Sequence, residues 1–144
     1  MNVKVKMKLL DLALKIPSFA YPGDVALDLY SRITTEIKSR EIKGIPTGIA
    51  IELPMGYEAQ IRPRSGLAIK HGISLVNSPG TIDTDYRGEI VAIVVNLGKE
   101  IFFINKGDRI CQMAVRKVPI VELEFVSELS KTSRGEKGFG SSGK

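Results

Sequence analysis

The chain is built from short runs in which apolar and polar residues alternate, separated by proline and glycine turns, and no long amphipathic helix occurs anywhere in it. In Val3-Lys4-Val5-Lys6-Met7-Lys8-Leu9 the apolar residues recur with a period of two, which places them on one face of a half-buried strand. The intervening lysines form a solvated face or a guarded sheet edge. The same reasoning predicts strands at Val25–Tyr30, Gly48–Leu53, Tyr57–Arg62, Ile73–Val76, Glu89–Val95, Ile101–Ile104, Ile110–Val115 and Ile120–Phe125. Turn signals lie between them at Tyr21-Pro22-Gly23, Leu53-Pro54-Met55-Gly56, Ser78-Pro79-Gly80 and Leu97-Gly98. Many short strands at this spacing imply an all-β jelly roll, sandwich or barrel. One short helix is predicted over Ser65–His71, with Ser65 as its N-cap and Gly72 as a left-handed stop.

With 144 residues the chain is expected to form one domain. At that size about 70% of the unfolded surface is buried, enough for a core without staples. A single cysteine, Cys111, excludes an intrachain disulfide and CxxC-type zinc sites, and His71 is the only histidine. The longest apolar run, Ile90–Val95, falls far short of the roughly 20 residues that cross a bilayer. The N-terminus alternates charge with apolar residues and shows no signal-peptide core, so a soluble, cytoplasmic protein without membrane contacts is expected. The net charge of +5 permits an anionic partner. With 6% aromatic residues and no tryptophan, however, stacking platforms are scarce and no direct nucleic-acid binding is expected.

The composition changes near residue 127. Residues 1–126 read as the folded β domain and 127–144 as a flexible Gly/Ser-rich arm. In the arm only Leu129 and Phe139 are large and apolar, too few to offset the entropy of ordering it. Arg134 and Phe139, set among glycines, look like contacts carried on a movable segment. Gly138-Phe139-Gly140-Ser141-Ser142-Gly143 satisfies GxGxxG, but that motif has to follow a strand and open a helix, and this one ends the chain.

Three internal segments are rich in reactive side chains. Pro63-Arg64-Ser65-Gly66 offers a guanidinium, a hydroxyl and the start of the short helix, which together suit a phosphate or equally a capped helix with a surface arginine. Asn77-Ser78-Pro79-Gly80-Thr81-Ile82-Asp83-Thr84-Asp85-Tyr86-Arg87-Gly88-Glu89 places acids, an amide, a phenol and a guanidinium in a loop between strands, where sites are commonly built. In Gly107-Asp108-Arg109-Ile110-Cys111-Gln112-Met113 the amide of Gln112 interrupts an apolar run and requires a partner, structural or ligand. Cys111 and His71 read as structural residues.

These segments, with Ala26-Leu27-Asp28-Leu29 before them and Arg134-Gly135-Glu136-Lys137-Gly138-Phe139-Gly140-Ser141-Ser142-Gly143 after them, resemble in order the five motifs of the trimeric dUTP diphosphatases. Ala26, Cys111, Lys137 and Ser142 stand where that family usually has glycine, alanine, glycine and threonine, and none of these departures removes a polar group the chemistry uses. The resemblance implies a jelly-roll-like subunit in a homotrimer whose sites take motifs one, two and four from one chain, motif three from a neighbour and the arm from the third. It implies hydrolysis of dUTP to dUMP and pyrophosphate with Mg²⁺, limiting uracil in DNA and supplying dUMP for dTMP synthesis. It further implies that Asp83 activates the water, and that Asp28 holds metal-bound waters. Arg64, Ser65, Gly66 and Gln112 would hold phosphates. Asn77 and the backbone from Gly80 would read uracil, and Tyr86 would pack on deoxyribose. Arg134, Ser141 and Ser142 would close on the γ-phosphate while Phe139, beside Gly140, stacks over the base. A dCTP deaminase of the same superfold is the nearest rival, and a non-catalytic regulatory binding protein a more distant one.

Overall fold

A computed structural model describes residues 2–140, 142 and 143. Eleven strands and one helix follow in chain order: β1 (Lys6–Leu9), β2 (Leu27–Tyr30), β3 (Thr35–Ile37), β4 (Ile42–Pro46), β5 (Ile49–Glu52), β6 (Tyr57–Arg62), α1 (Ser65–His71), β7 (Ile73–Leu75), β8 (Gly80–Ile82), β9 (Val91–Asn96), β10 (Phe102–Ile104) and β11 (Arg109–Lys117). They make a four-stranded sheet in the order β2-β11-β6-β8, a three-stranded sheet β4-β9-β7, and the pairs β1-β5 and β3-β10. All the pairings are antiparallel. The all-β class is as expected, but among the described residues the sheets do not close into a barrel. Strands of three residues, such as β3, β7, β8 and β10, run too short to bridge one sheet to the next.

The alternation is realised as burial. Leu29, Ile37, Ile45, Val94, Ile104 and Met113 from five different strand pairings meet in one core with Ile49 and Ile90. Asn96, fully buried at the end of β9, spends its amide on structure: its nitrogen donates to the carbonyls of Ile37 and Glu100, each at 2.8 Å.

Two expectations are corrected, and three strands were not predicted. Ile120–Phe125 forms no strand, and Ile120, Leu123 and Phe125 are 90%, 78% and 96% exposed, because the chain offers their apolar face no surface to cover. β4 was not predicted; its Gly44 sits opposite Ile93, where a Cβ would come within 3.2 Å of Val91 Cγ1. β3 and β8 were also unpredicted, being short strands inside segments that read as turns and loops. The helix begins one residue early for a serine cap: Arg64 is the N-cap, extended at φ −93° and ψ 129°, with no side-chain cap, and Ser65 is the first helical residue. Gly72 ends α1 at φ 69° as expected, its N–H returning to the Ala68 carbonyl.

Candidate active site

The four-stranded sheet sets out the first group of residues. Gln112 of β11 lies opposite Asp28 of β2 and opposite Arg62 of β6, so the three side chains share one face of the sheet. A bulge between Arg109 and Cys111 breaks the alternation there and re-aims Arg109. Arg64, two residues beyond β6, then meets this face. Its Nε donates to Asp28 Oδ1 at 2.9 Å and its Nη1 to the Arg109 carbonyl at 3.3 Å. Arg109 Nε stands 3.6 Å from the other carboxylate oxygen, Oδ2. Gln112 finds a structural partner, its Nε2 donating to the Pro63 carbonyl at 2.8 Å. Ser65 and Gly66 are exposed at the start of α1, and a Cβ at Gly66 would meet no atom of the chain. Behind the sheet, burial pushes the Cys111 thiol up to about 12, with the Asp28 charge adding and Arg64 opposing, so it is an inert apolar residue.

A second group gathers around β8. Asn77, Gly80, Asp83 and Tyr86 line a cavity of ≈ 230 Å³ together with Ile61 and Leu75. Gly80 is buried opposite Ile61, and a Cβ there would lie 3.3 Å from Asn77 Nδ2. The phenol of Tyr86 donates to the Glu89 carbonyl at 2.9 Å, and its ring lies over Gly88, where any Cβ would collide with it. Arg87 braces the turn by donating to the carbonyls of Thr84 and Tyr86. Glu89 is structural: it accepts from the Gly48 N–H at 2.9 Å and pairs with Arg32. Asp83 is exposed and, among the described residues, has no hydrogen-bond or ion-pair partner.

Asp83 and Arg64 stand toward opposite ends of β6, while Gly80 of the second group pairs with Ile61, near the Arg64 end. Ile82 pairs with Ala59, so Asp83 emerges level with Glu58, whereas Arg64 lies six residues further along the chain. At about 3.3 Å per residue this is roughly 20 Å. The register therefore keeps Asp83 apart from Arg64 within one chain.

The arm forms a third group. Arg134 Nε donates to the Lys137 carbonyl at 2.8 Å, closing a small turn. Phe139 sits at φ 49° with its ring fully exposed. Gly140 takes φ 86°, Ser142 is exposed, and Ser141 lies outside the described residues. Arg109 is the residue to which no role was assigned from the sequence. Its place in a polar segment with Gln112 was the available signal, but the bulge that turns it toward Asp28 has no signature in the sequence.

Comparison with known proteins places the chain in a family. The dUTPase family profile matches residues 13–143. A deoxyuridine 5'-triphosphate nucleotidohydrolase of Rickettsia felis is 53% identical over 144 residues, covering 99% of this chain and 97% of that protein. One from Trichodesmium erythraeum is 52% identical over 141 residues, covering 98% and 99%. Among solved structures, the dUTPase of Staphylococcus bacteriophage 80alpha with dUPNHPP superposes with a TM-score of 0.90 at 27% identity, over 97% of this chain and 98% of that one. Half the chain or more is matched in each case, and the chain belongs to the dUTPase family.

Proposed function

We propose that the protein hydrolyses dUTP with water to dUMP and pyrophosphate, in sites shared between copies of the chain in a homotrimer. The observation that carries this reading is the separation along β6. A general base works across about 3 Å, so Asp83 and Arg64 of one chain, at opposite ends of that strand, serve different substrate molecules. Each site then takes its Asp83 loop from another copy. The exposed apolar side chains of Ile120, Leu123 and Phe125, in the segment that leads from β11 to the arm, support a C-terminal segment that leaves its own body and lies on a neighbour. The names of the relatives support dUTP as substrate, and the bacteriophage enzyme with dUPNHPP supports a bound triphosphate.

In this reading Asp83 orients and deprotonates the water that attacks the α-phosphorus, and its freedom from ion pairs leaves it able to accept the proton. Arg64, Ser65, Gly66 and Gln112 hold the phosphates. Asn77 and the backbone at Gly80 meet the polar edge of uracil, and Tyr86, fixed by its bond to Glu89, packs on the sugar. Arg134, Ser141 and Ser142 close on the γ-phosphate while Phe139 and Gly140 cover the base and exclude water. Phosphoryl chemistry of this kind is mostly positioning and charge stabilisation.

The donor set fits Mg²⁺ in one form only. Among the described residues no group of three His, Cys, Asp or Glu side chains could hold an ion, and the Asp28 carboxylate is engaged by Arg64 and Arg109. A Mg²⁺ chelated by the triphosphate, with Asp28 reaching it through water, satisfies both facts and would offset phosphate charge when bound. No described helix is long and apolar enough to cross a membrane.

The test is product identification. With Mg²⁺ and dUTP, dUMP and pyrophosphate are expected, and dCTP should be rejected by roughly 10⁴–10⁵, as in sites built on base hydrogen bonds. Release of ammonia from dCTP, or comparable turnover of the two nucleotides, would overturn the reading in favour of a deaminase.

A further inference from the structure

The cluster beside α1 holds two guanidinium groups on one carboxylate, and that imbalance is informative. Asp28 spends Oδ1 on Arg64 Nε at 2.9 Å and has Arg109 Nε 3.6 Å from Oδ2. Alone, the Asp28–Arg64 pair would be neutral, so the carboxylate that orients Arg64 would also cancel its attraction for a polyphosphate. With Arg109 in place the cluster carries a net charge of +1 at neutral pH, since arginine stays protonated. Arg109 reaches this position only because β11 is irregular. Ile110 and Cys111 are both buried, so the strand inserts an extra residue, and the bulge turns the Arg109 side chain to the Asp28 face. Its own carbonyl meanwhile accepts from Arg64 Nη1 at 3.3 Å. The Arg109 side chain remains 54% exposed and has no other ion-pair partner among the described residues, so a role confined to packing does not explain it.

We propose that Arg109 is a positioning residue for phosphate binding: its guanidinium offsets the charge of Asp28, so that Asp28 can orient Arg64 without neutralising it. This rests on the reading of Arg64 as a phosphate anchor. A positive group at position 109 is what matters, more than the shape of the guanidinium, because the approach to Oδ2 is an ion pair longer than a hydrogen bond.

The test uses the full-length enzyme with Arg64→Gln, Arg109→Gln, Arg109→Lys and the double variant Arg64→Gln/Arg109→Gln. The readouts are kcat/KM for dUTP, Kd for a non-hydrolysable dUTP analogue, and Tm. Arg109→Gln is expected to weaken analogue binding and kcat/KM about tenfold, the scale of coupling within one ion-pair network. Arg109→Lys should recover most of that loss, and Tm should hold in both, since half-exposed pairs add little stability. In the Arg64→Gln background, adding Arg109→Gln should cost less than about twofold. An impaired Arg64→Gln enzyme with an unimpaired Arg109→Gln enzyme overturns the proposal alone. The same loss from Arg109→Gln in both backgrounds also overturns it, since Arg109 would then act independently of Arg64. So does a failure of lysine to rescue accompanied by a fall in Tm. An unimpaired Arg64→Gln enzyme overturns the anchor reading itself, and the proposal with it.

Discussion

The two ends of β6 are built in opposite ways. At the Arg64 end both arginines and the Gln112 amide are held by the chain itself: Arg64 on Asp28, Arg109 on the same carboxylate, Gln112 on the Pro63 carbonyl. At the Asp83 end the loop is braced around its acid by Tyr86 and Arg87, yet the acid has no partner among the described residues. Groups that bind charge are thus preorganised, which lowers the cost of ordering them around a ligand. Asp83, the proposed proton acceptor, has no hydrogen-bond or ion-pair partner among the described residues. In the proposed function, the roughly 20 Å between the ends requires each half to be completed by another copy.

The largest effect expected from breaking this contrast is at the unpaired end. Asp83→Asn keeps the loop's shape and removes the proton acceptor, so kcat should fall by about 10²–10⁴ while the affinity for a dUTP analogue is largely kept. Turnover within a few-fold of the unaltered enzyme would remove Asp83 from that role.

Mixing tests the division between copies directly. Asp83→Asn and Arg64→Ala chains, each nearly inactive alone, should regain activity when unfolded and refolded together. With random assembly about a quarter of the sites receive an intact Arg64 from one copy and an intact Asp83 from another. No gain on mixing would place both groups of each site in one chain.

Removing the arm sharpens the comparison from outside. Deletion after Ser133 takes away Arg134 and Phe139 but no buried residue, so Tm without ligand should stay within a few degrees. The loss of kcat/KM for dUTP should be about 10–10², as positioning groups supply. The thermal shift given by the analogue should shrink as its affinity falls. A collapsed Tm would make the arm structural.

The smallest effect concerns how closed the Arg64 end is. With its thiol ionising only near pH 12 because of burial, Cys111 is protonated from pH 7 to 9. Iodoacetamide should leave it unmodified in the folded protein and alkylate it fully in urea, as read by intact mass. The sign follows from the shift: a raised thiol pKa disfavours thiolate at every pH below it. Rapid labelling of the native protein at pH 8 would mean that this end opens.

Much of this was legible beforehand. Alternation in Tyr57–Arg62 and Ile110–Val115 foretold β6 and β11, because a period of two is the only way to bury one face of an extended chain. Polar density in the 63–66, 77–89 and 107–113 segments marked the loops and strand ends that hold the candidate site residues, since a core has no use for such residues. The same signal misled at Ile120–Phe125, where the alternation exists but its buried face has no surface within the chain.

By itself the sequence determined the all-β class, the left-handed stop at Gly72, the stock of reactive groups and an arm too poor in apolar residues to hold a fold. These are local properties, set by periodicity, backbone freedom and composition. The tertiary structure alone decided that Gln112 donates to Pro63, that a bulge turns Arg109 onto Asp28, and that antiparallel pairing of β8 with β6 puts Asp83 and Arg64 at opposite ends of one strand. Register is the reason. It joins residues distant in sequence, and a slip of one position would exchange the two faces of a strand, so no local pattern can state which end of β6 each group will occupy.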